Sequence, residues 1–131
     1  MIYLDSSALL KLVFEEAESN DLADWLGRDT HHLVTCELSR IEVSRSVQRI
    51  DPAALGAARQ LLGGCDLIPM TTVLVDQACE IGSPSLRSLD AIHLAAAMSI
   101  REVLVAFVTY DHRLLDAATA TGLPITTPGR T

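Results

Sequence analysis

The pattern of apolar and polar residues along the chain predicts strands and helices that alternate. Short, uninterrupted apolar runs are typical of strands buried on both faces, and they predict strands at residues 2–4, 32–35, 67–70, 104–109 and 124–126. The segments between these runs predict helices at residues 7–15, 19–26, 37–50, 72–81, 88–100 and 111–121, with a further helix opened by Asp51-Pro52 and ended by Gly63-Gly64. Ser6 or Ser7 is the expected N-cap of the first helix.

Alternation of this kind is typical of an α/β protein. We expect a three-layer fold with a central parallel sheet of about five strands flanked by helices. A length of 131 residues fits one domain, residues 1–131, and no repeat or internal linker divides the chain.

Four acids occupy positions that such a fold could bring together. Asp5 closes the first apolar run, and Asp111 closes the run that ends at Tyr110. Ligands of an open parallel sheet bind beyond the carboxyl ends of the strands, so these two acids are expected to meet there. Glu42 and Asp90 lie inside helical patterns beside apolar residues, where an unpaired carboxylate is costly. A divalent cation would account for all four acids at once.

Each of these acids also has a purely structural alternative. Asp5 and Asp111 can cap the helices that follow them. Glu42 can be a solvated helix residue, and Asp90 can be an acid favoured by the dipole at a helix N-terminus. Asp116 is expected to be a surface acid rather than a further ligand.

Composition limits the classes of partner. The formal net charge of −7 argues against non-specific binding of a long phosphate backbone, although metal bound to the acids would weaken this argument. Five aromatic residues are too few for extensive base stacking. The three cysteines are widely spaced and are expected to be reduced thiols in a cytoplasmic protein. The apolar runs are too short to cross a bilayer, and no signal peptide is visible, so no membrane association is expected.

Four motifs in this order resemble those of PIN-domain ribonucleases. They are Asp5-Ser6-Ser7-Ala8-Leu9, Arg40-Ile41-Glu42-Val43, the segment Ser-Leu-Asp-Ala-Ile-His-Leu-Ala-Ala-Ala at residues 88–97, and Thr109-Tyr110-Asp111-His112-Arg113-Leu114. The resemblance covers the whole chain, and the chain length is similar to that of the VapC toxins of VapBC toxin–antitoxin pairs. One departure is Cys36, which stands where a small hydroxyl residue is expected.

The resemblance implies a metal-dependent endoribonuclease that acts on structured RNA such as transfer or ribosomal RNA. It also implies a small VapB-type antitoxin as partner, and a homodimer. A binding module from another functional class remains as the alternative: a catalytically silent PIN fold that serves only dimerisation and partner binding.

The chemistry of phosphodiester hydrolysis agrees with this acid set. Mg²⁺ or Mn²⁺ can activate the nucleophile, spread the charge on phosphorus and assist the leaving oxygen. Both ions prefer oxygen ligands, and no Cys/His cluster suited to zinc is present in the sequence. All four acids are candidate catalytic residues. Asp5 and Asp90 are the predicted direct ligands, Asp111 a ligand or the holder of a metal-bound water, and Glu42 a ligand or the base.

Other polar residues near the motifs have supporting roles in this prediction. Ser6 and Thr109 are expected to hydrogen-bond the metal ligands. Arg87 and Arg113 could contact RNA phosphate or an antitoxin's carboxylates, with surface ion pairing as the alternative. His93 is expected to be a packed, hydrogen-bonded histidine. Without metal, at least one of the four crowded acids should have a raised pKa.

Overall fold

Five strands form one parallel sheet in the computed structural model, which describes residues 1–130. Thr131, the last residue of the predicted single domain, lies outside the described residues. The strands are β1 (Ile2–Leu4), β2 (Leu33–Cys36), β3 (Asp66–Ile68), β4 (Ala106–Val108) and β5 (Ile125–Thr126). Their order in the sheet is β3-β2-β1-β4-β5, and every pairing is parallel.

Helices cover the sheet on both faces. They are α1 (Ser6–Val13), α2 (Ser19–Gly27), α3 (Glu37–Ile50), α4 (Leu55–Gly63), α5 (Thr72–Glu80), α6 (Ser88–Ser99) and α7 (His112–Ala120). A 3₁₀ turn, Pro52–Ala54, precedes α4. The predicted three-layer α/β fold is confirmed.

The alternating side chains of β1 divide the core between two faces of the sheet. Tyr3 packs with one buried cluster, which includes Leu94 and Phe107. Ile2 and Leu4 point the other way and pack with a second buried cluster. Because β1 is central and buried on both faces, its sequence is continuously apolar rather than alternating.

The register of β1 against β4 fixes the position of the acids. Leu4 pairs with Val108, and the backbone N–H of Asp5 donates to the carbonyl oxygen of Val108 at 3.2 Å. The two strands therefore end at the same level of the sheet. The residues that follow them, Asp5 on one side and Thr109 to Asp111 on the other, lie beside each other.

Several predicted boundaries differ from the structure. The first helix begins at Ser6, and its N-cap is Asp5 rather than a serine, since the Asp5 carboxylate accepts from the backbone N–H of Ala8 at 2.9 Å. The predicted helix after Asp51 is split, because the Asp51 side chain caps a short 3₁₀ turn before α4 begins. The outer strands are shorter than their apolar runs. Among residues 1–130, no helix has both the length and the apolar character needed to cross a membrane.

Candidate active site

Asp5 is a buried carboxylate at the carboxyl end of the central strand. Its side chain accepts hydrogen bonds from the hydroxyl groups of Ser7 at 2.7 Å and Thr109 at 2.5 Å, besides the capping bond from Ala8. The residue is 3% exposed. Burial raises the pKa of Asp5, although the positive field of His93 and the hydroxyl donors partly oppose this shift.

The Thr109 hydroxyl joins the ends of β1 and β4. Its Oγ1 donates to Asp5 and accepts from the backbone N–H of Asp111 at 3.1 Å. Ser7 makes a parallel connection, because its Oγ accepts from the backbone N–H of Tyr110 at 2.9 Å. Thr109 therefore contacts one predicted ligand by its side chain and holds the backbone of another. Ser7, to which the motifs gave no role, likewise donates to Asp5, but the backbone that it holds is that of Tyr110.

Glu42 lies on α3 and is held by two donors from other elements. The Ser6 hydroxyl donates to Glu42 Oε1 at 2.5 Å, and His93 Nε2 is 2.7 Å from the same oxygen. Burial raises the pKa of Glu42, but the hydrogen bonds from His93 and Ser6 outweigh it and the net pKa is lowered. The carboxylate form of Glu42 is thus favoured.

His93 links Glu42 to the buried core, as the middle of a hydrogen-bonded chain. Its Nδ1 is 2.7 Å from the hydroxyl of Tyr3 and 3.9 Å from the sulfur of Cys36. Burial lowers the pKa of His93, but hydrogen bonds to Cys36 and Glu42 outweigh it and raise the pKa to about 10. The packed, hydrogen-bonded histidine predicted from the sequence is confirmed.

Two partners of His93 come from strands that lie far from it in the sequence. The motifs gave Tyr3 and Cys36 no role at the site, yet both lie within reach of the histidine ring. The spacing of Tyr3 and Asp5 in the sequence could have indicated that Tyr3 lies near the site. Tyr3 precedes Asp5 by two residues, and the backbone stays extended from β1 through Asp5, so both side chains are directed to the same face. Cys36, the departure from the motif pattern, occupies the end of the neighbouring strand β2.

Asp90 and Asp111 share one cationic side chain. Arg87 Nε is 3.0 Å from Oδ2 of Asp90, and Arg87 Nη2 is 3.0 Å from Oδ2 of Asp111. The other carboxylate oxygen of Asp111 caps α7 by accepting from the backbone N–H groups of Arg113 and Leu114. The predicted capping alternative for Asp111 is therefore real, and it leaves Oδ2 free for a second partner.

The four acids surround one end of the sheet without forming a ready-made metal cluster. Within the part of the chain that the structure describes, no group of three or more His, Cys, Asp or Glu side chains is arranged to hold a metal ion. Unneutralised carboxylates repel one another, so a close cluster of unpaired acids would be costly. Each instead takes its own partner: hydroxyls for Asp5, Ser6 and His93 for Glu42, and Arg87 for Asp90 and Asp111.

The donor set nevertheless fits a hard divalent cation. All four acids offer oxygen ligands, and Arg87 shows that one positive group reaches Asp90 and Asp111 at the same time. Mg²⁺ is usually bound by one or two carboxylates and several waters, so this pair is sufficient as an anchor. Arg113 and Asp116 are exposed on α7, and both line a surface groove. Arg113 contacts Asp111 through its backbone N–H.

Comparison with protein families places this fold and acid arrangement in a defined class. The family described as "PIN domain" matches residues 2–120. The match includes all four acids, both motif serines and Thr109. The chain belongs to the PIN domain family.

Relatives within the family are more specific. The chain is 45% identical over 133 aligned residues to Ribonuclease VapC47 of Mycobacterium tuberculosis (strain CDC 1551 / Oshkosh), and the alignment covers 98% of each chain. Its resemblance is therefore to the VapC ribonucleases among PIN-domain proteins.

Solved structures share the fold at low sequence identity. VapC20 of Mycobacterium tuberculosis, described as a sarcin-ricin loop cleaving toxin, superimposes with a TM-score of 0.74 at 16% identity, covering 94% of this chain and 96% of that one. VapBC2 of Rickettsia felis, solved with a DNA fragment from its promoter, gives a TM-score of 0.66 at 12% identity, covering 97% and 98%. These structures support the architecture described above.

Proposed function

We propose that residues 1–131 form a single-domain endoribonuclease that depends on Mg²⁺ or Mn²⁺ and acts as the toxin of a toxin–antitoxin pair. Membership of the PIN domain family and the 45% identity to a VapC ribonuclease support the hydrolase activity. The observation that carries the metal dependence is that Asp90 and Asp111 hold a single cationic group between them, beside the buried Asp5.

Asp5, Asp90 and Asp111 are the proposed metal ligands. Asp90 is 13% exposed and Asp111 33% exposed at the side chain, so both can face solvent and substrate. When bound, the divalent ion would stabilise negative charge on the phosphate and acidify a water molecule. Thr109 and Ser6 orient neighbouring carboxylates, because the Thr109 hydroxyl donates a hydrogen bond to Asp5 and the Ser6 hydroxyl donates one to Glu42.

Glu42 is the proposed acceptor of the proton from the attacking water. A general base needs a carboxylate that is ionised and held in place. The hydrogen bonds from Ser6 and His93 give Glu42 both properties, since they fix Oε1 and lower the pKa. Its second oxygen, Oε2, stays available for a water molecule or a ligand role.

The proposed substrate is a structured RNA, of the transfer or ribosomal class. The acidic chain offers few cations, so recognition would rest on RNA shape and a small number of phosphate contacts. Arg87 and Arg113 are the proposed phosphate contacts. Arg87 adjoins the acids, and the exposed Arg113 follows Asp111 by two residues.

The proposed partners are a small VapB-type antitoxin and a second copy of this chain. An antitoxin would neutralise the site most directly by placing an arginine against the acids. We also propose a cytoplasmic location, because Cys36, Cys65 and Cys79 are all free thiols.

Cleavage of purified transfer and ribosomal RNA tests this function. We expect activity with Mg²⁺ or Mn²⁺, none with EDTA, and a loss of at least about tenfold to a hundredfold in Asp5→Asn and Asp90→Asn. Asp116→Asn, an exposed acid on α7, is the matched control and should retain wild-type activity. Undiminished cleavage by both site variants would rule out the catalytic assignment, and cleavage of none of these RNAs by the wild type would favour a catalytically silent binding module.

A further inference from the structure

Arg87 occupies the place of a cation between two of the four acids. It is the N-cap residue of α6, with an extended backbone, and it precedes Asp90 by three residues. Its guanidinium uses Nε for Asp90 and Nη2 for Asp111, both at 3.0 Å. It therefore bridges two carboxylates from different elements instead of gripping one of them with both nitrogens.

This bridge is poorly suited to a structural purpose. The Arg87 side chain is 53% exposed, and exposed ion pairs contribute little to stability. The elements that it joins are already secured, because Thr109 connects Asp111 to Asp5 and the core of α6 packs against the sheet. Arg87 can leave the bridge without disturbing a buried contact.

We propose that Arg87 is an internal counter-cation that competes with the divalent metal for Asp90 and Asp111. The inference rests on the proposed metal-dependent function. In the metal-free protein Arg87 relieves the repulsion between the two carboxylates. A divalent ion bound to the same oxygens displaces Arg87, since two cations cannot share carboxylates at this distance without strong mutual repulsion.

The displaced Arg87 guanidinium is then free to bind a phosphate group. It stays tethered one side-chain length from the acids, where the phosphate of a bound RNA would lie. Arginine is suited to phosphate because its planar fork donates two parallel hydrogen bonds. Arg87 would thus change from a carboxylate partner to a phosphate partner as metal and RNA bind.

Mn²⁺ binding to the RNA-free protein tests the competition directly. Metal-free wild type, Arg87→Gln, Arg87→Lys and Arg113→Gln are titrated with Mn²⁺ while free Mn²⁺ is measured by electron paramagnetic resonance. Arg87→Gln should bind Mn²⁺ about two- to fivefold more tightly than wild type, the range expected when an exposed ion pair no longer has to be broken. Arg87→Lys should fall between the two, because an ammonium group cannot bridge both acids as a fork.

Arg113→Gln is the matched control. This variant also removes one positive charge, two residues after Asp111 in the first turn of α7, and it leaves the Arg87 bridge intact. Its effect on the Mn²⁺ dissociation constant should therefore be clearly smaller than that of Arg87→Gln. Cooperative thermal unfolding in EDTA shows that each variant is folded.

The possible outcomes separate this inference from the function on which it rests. Equal Mn²⁺ affinity in wild type, Arg87→Gln and Arg113→Gln overturns the competition alone. Weaker binding by Arg87→Gln also overturns it, because Arg87 would then support the metal site. If neither wild type nor Arg87→Gln binds Mn²⁺, the proposed metal dependence fails and the inference with it.

Discussion

At the scale of single residues, burial of a carboxylate is the dominant feature of the site. The crowded acids were predicted to raise at least one pKa, and this is confirmed for Asp5. The main cause is burial rather than repulsion, and a neighbouring positive residue, His93, acts against it. Glu42 shows the opposite balance, since its pKa is lowered by the donors around it. The pKa values of Asp5 and Glu42 thus shift in opposite directions, because their immediate surroundings differ.

The raised pKa of Asp5 predicts how stability changes with pH. Because the pKa of Asp5 is raised from 3.8, the folded protein keeps this proton to a higher pH than the unfolded chain does, and the folded state binds more protons in that window. Stability contributed by this residue therefore falls as pH rises through that window. Asp5→Asn keeps a neutral side chain of the same shape, and its stability relative to wild type should increase from about pH 4 towards neutrality.

Urea unfolding in EDTA at several pH values measures this difference. Asp116→Asn, which changes an exposed acid, should follow the wild type with a nearly constant offset. A difference between Asp5→Asn and wild type that does not change with pH would contradict a raised pKa for the buried Asp5.

At the scale of the elements, helix ends carry much of the site. Asp111 is the N-cap of α7 and also a partner of Arg87, while Asp90 lies in the first turn of α6. The acids are favoured here by the positive end of the helix dipole as well as by their specific partners. A capping role and a metal-binding role are compatible in Asp111, because they use different oxygens of the carboxylate.

Substitution of Asp111 can separate these two roles. Asp111→Asn should keep the cap, since Asn is as good an N-cap as Asp, but it should weaken Mn²⁺ binding through the lost charge. Asp111→Ala should lose both, with a fall of about 1 kcal/mol in the free energy of unfolding. Denaturant unfolding in EDTA and Mn²⁺ titration give the two readouts.

Asp51 provides the control for the cap. It also caps a helical turn by its side chain, on the far side of α3 in sequence and outside the four-acid site. Asp51→Ala should lower stability while Mn²⁺ binding stays at the wild-type level. If Asp111→Asn binds Mn²⁺ as tightly as wild type, Asp111 caps α7 and pairs with Arg87 but is not a metal ligand.

At the scale of the whole molecule, apolar surface remains after the core is complete. Several large apolar side chains are exposed, namely Ile41, Ile50, Met70, Val73, Val75, Leu89, Val103, Val105 and Ile125. Exposed apolar surface often marks an interface between copies of a chain. The proposed homodimer would cover part of it.

Light scattering tests the dimer. We expect a mass of twice the 14.1 kDa of one chain at high micromolar concentration. The dimer should persist in high salt, because screening weakens charge pairs and leaves apolar contacts intact. A strict monomer at that concentration would refute the proposal, and a dimer that dissociates in salt would point to a charged interface instead.

The sequence by itself determined the layers of the fold and placed two of the acids, Asp5 and Asp111, at the carboxyl ends of strands. Apolar runs bounded by helical patterns specify a parallel sheet, because parallel strands need crossover helices and are buried on both faces. Asp5 and Asp111 follow their strands directly, so their place at the carboxyl end of the sheet needed no tertiary information. The burial and hydrogen bonding of His93 were also predictable from its place on an apolar helix.

Only the tertiary structure decided which side chain each acid contacts. The packing of α6 against the sheet brings His93 to Tyr3 across 90 residues of sequence, and the packing of α6 beside α7 brings Arg87 to Asp111 across 24. The pattern of apolar residues fixes the face on which a side chain lies, and says nothing about its neighbour on an adjoining element. The pairing of Asp90 and Asp111 through Arg87 depends on how α6 and α7 pack after the chain has crossed the sheet.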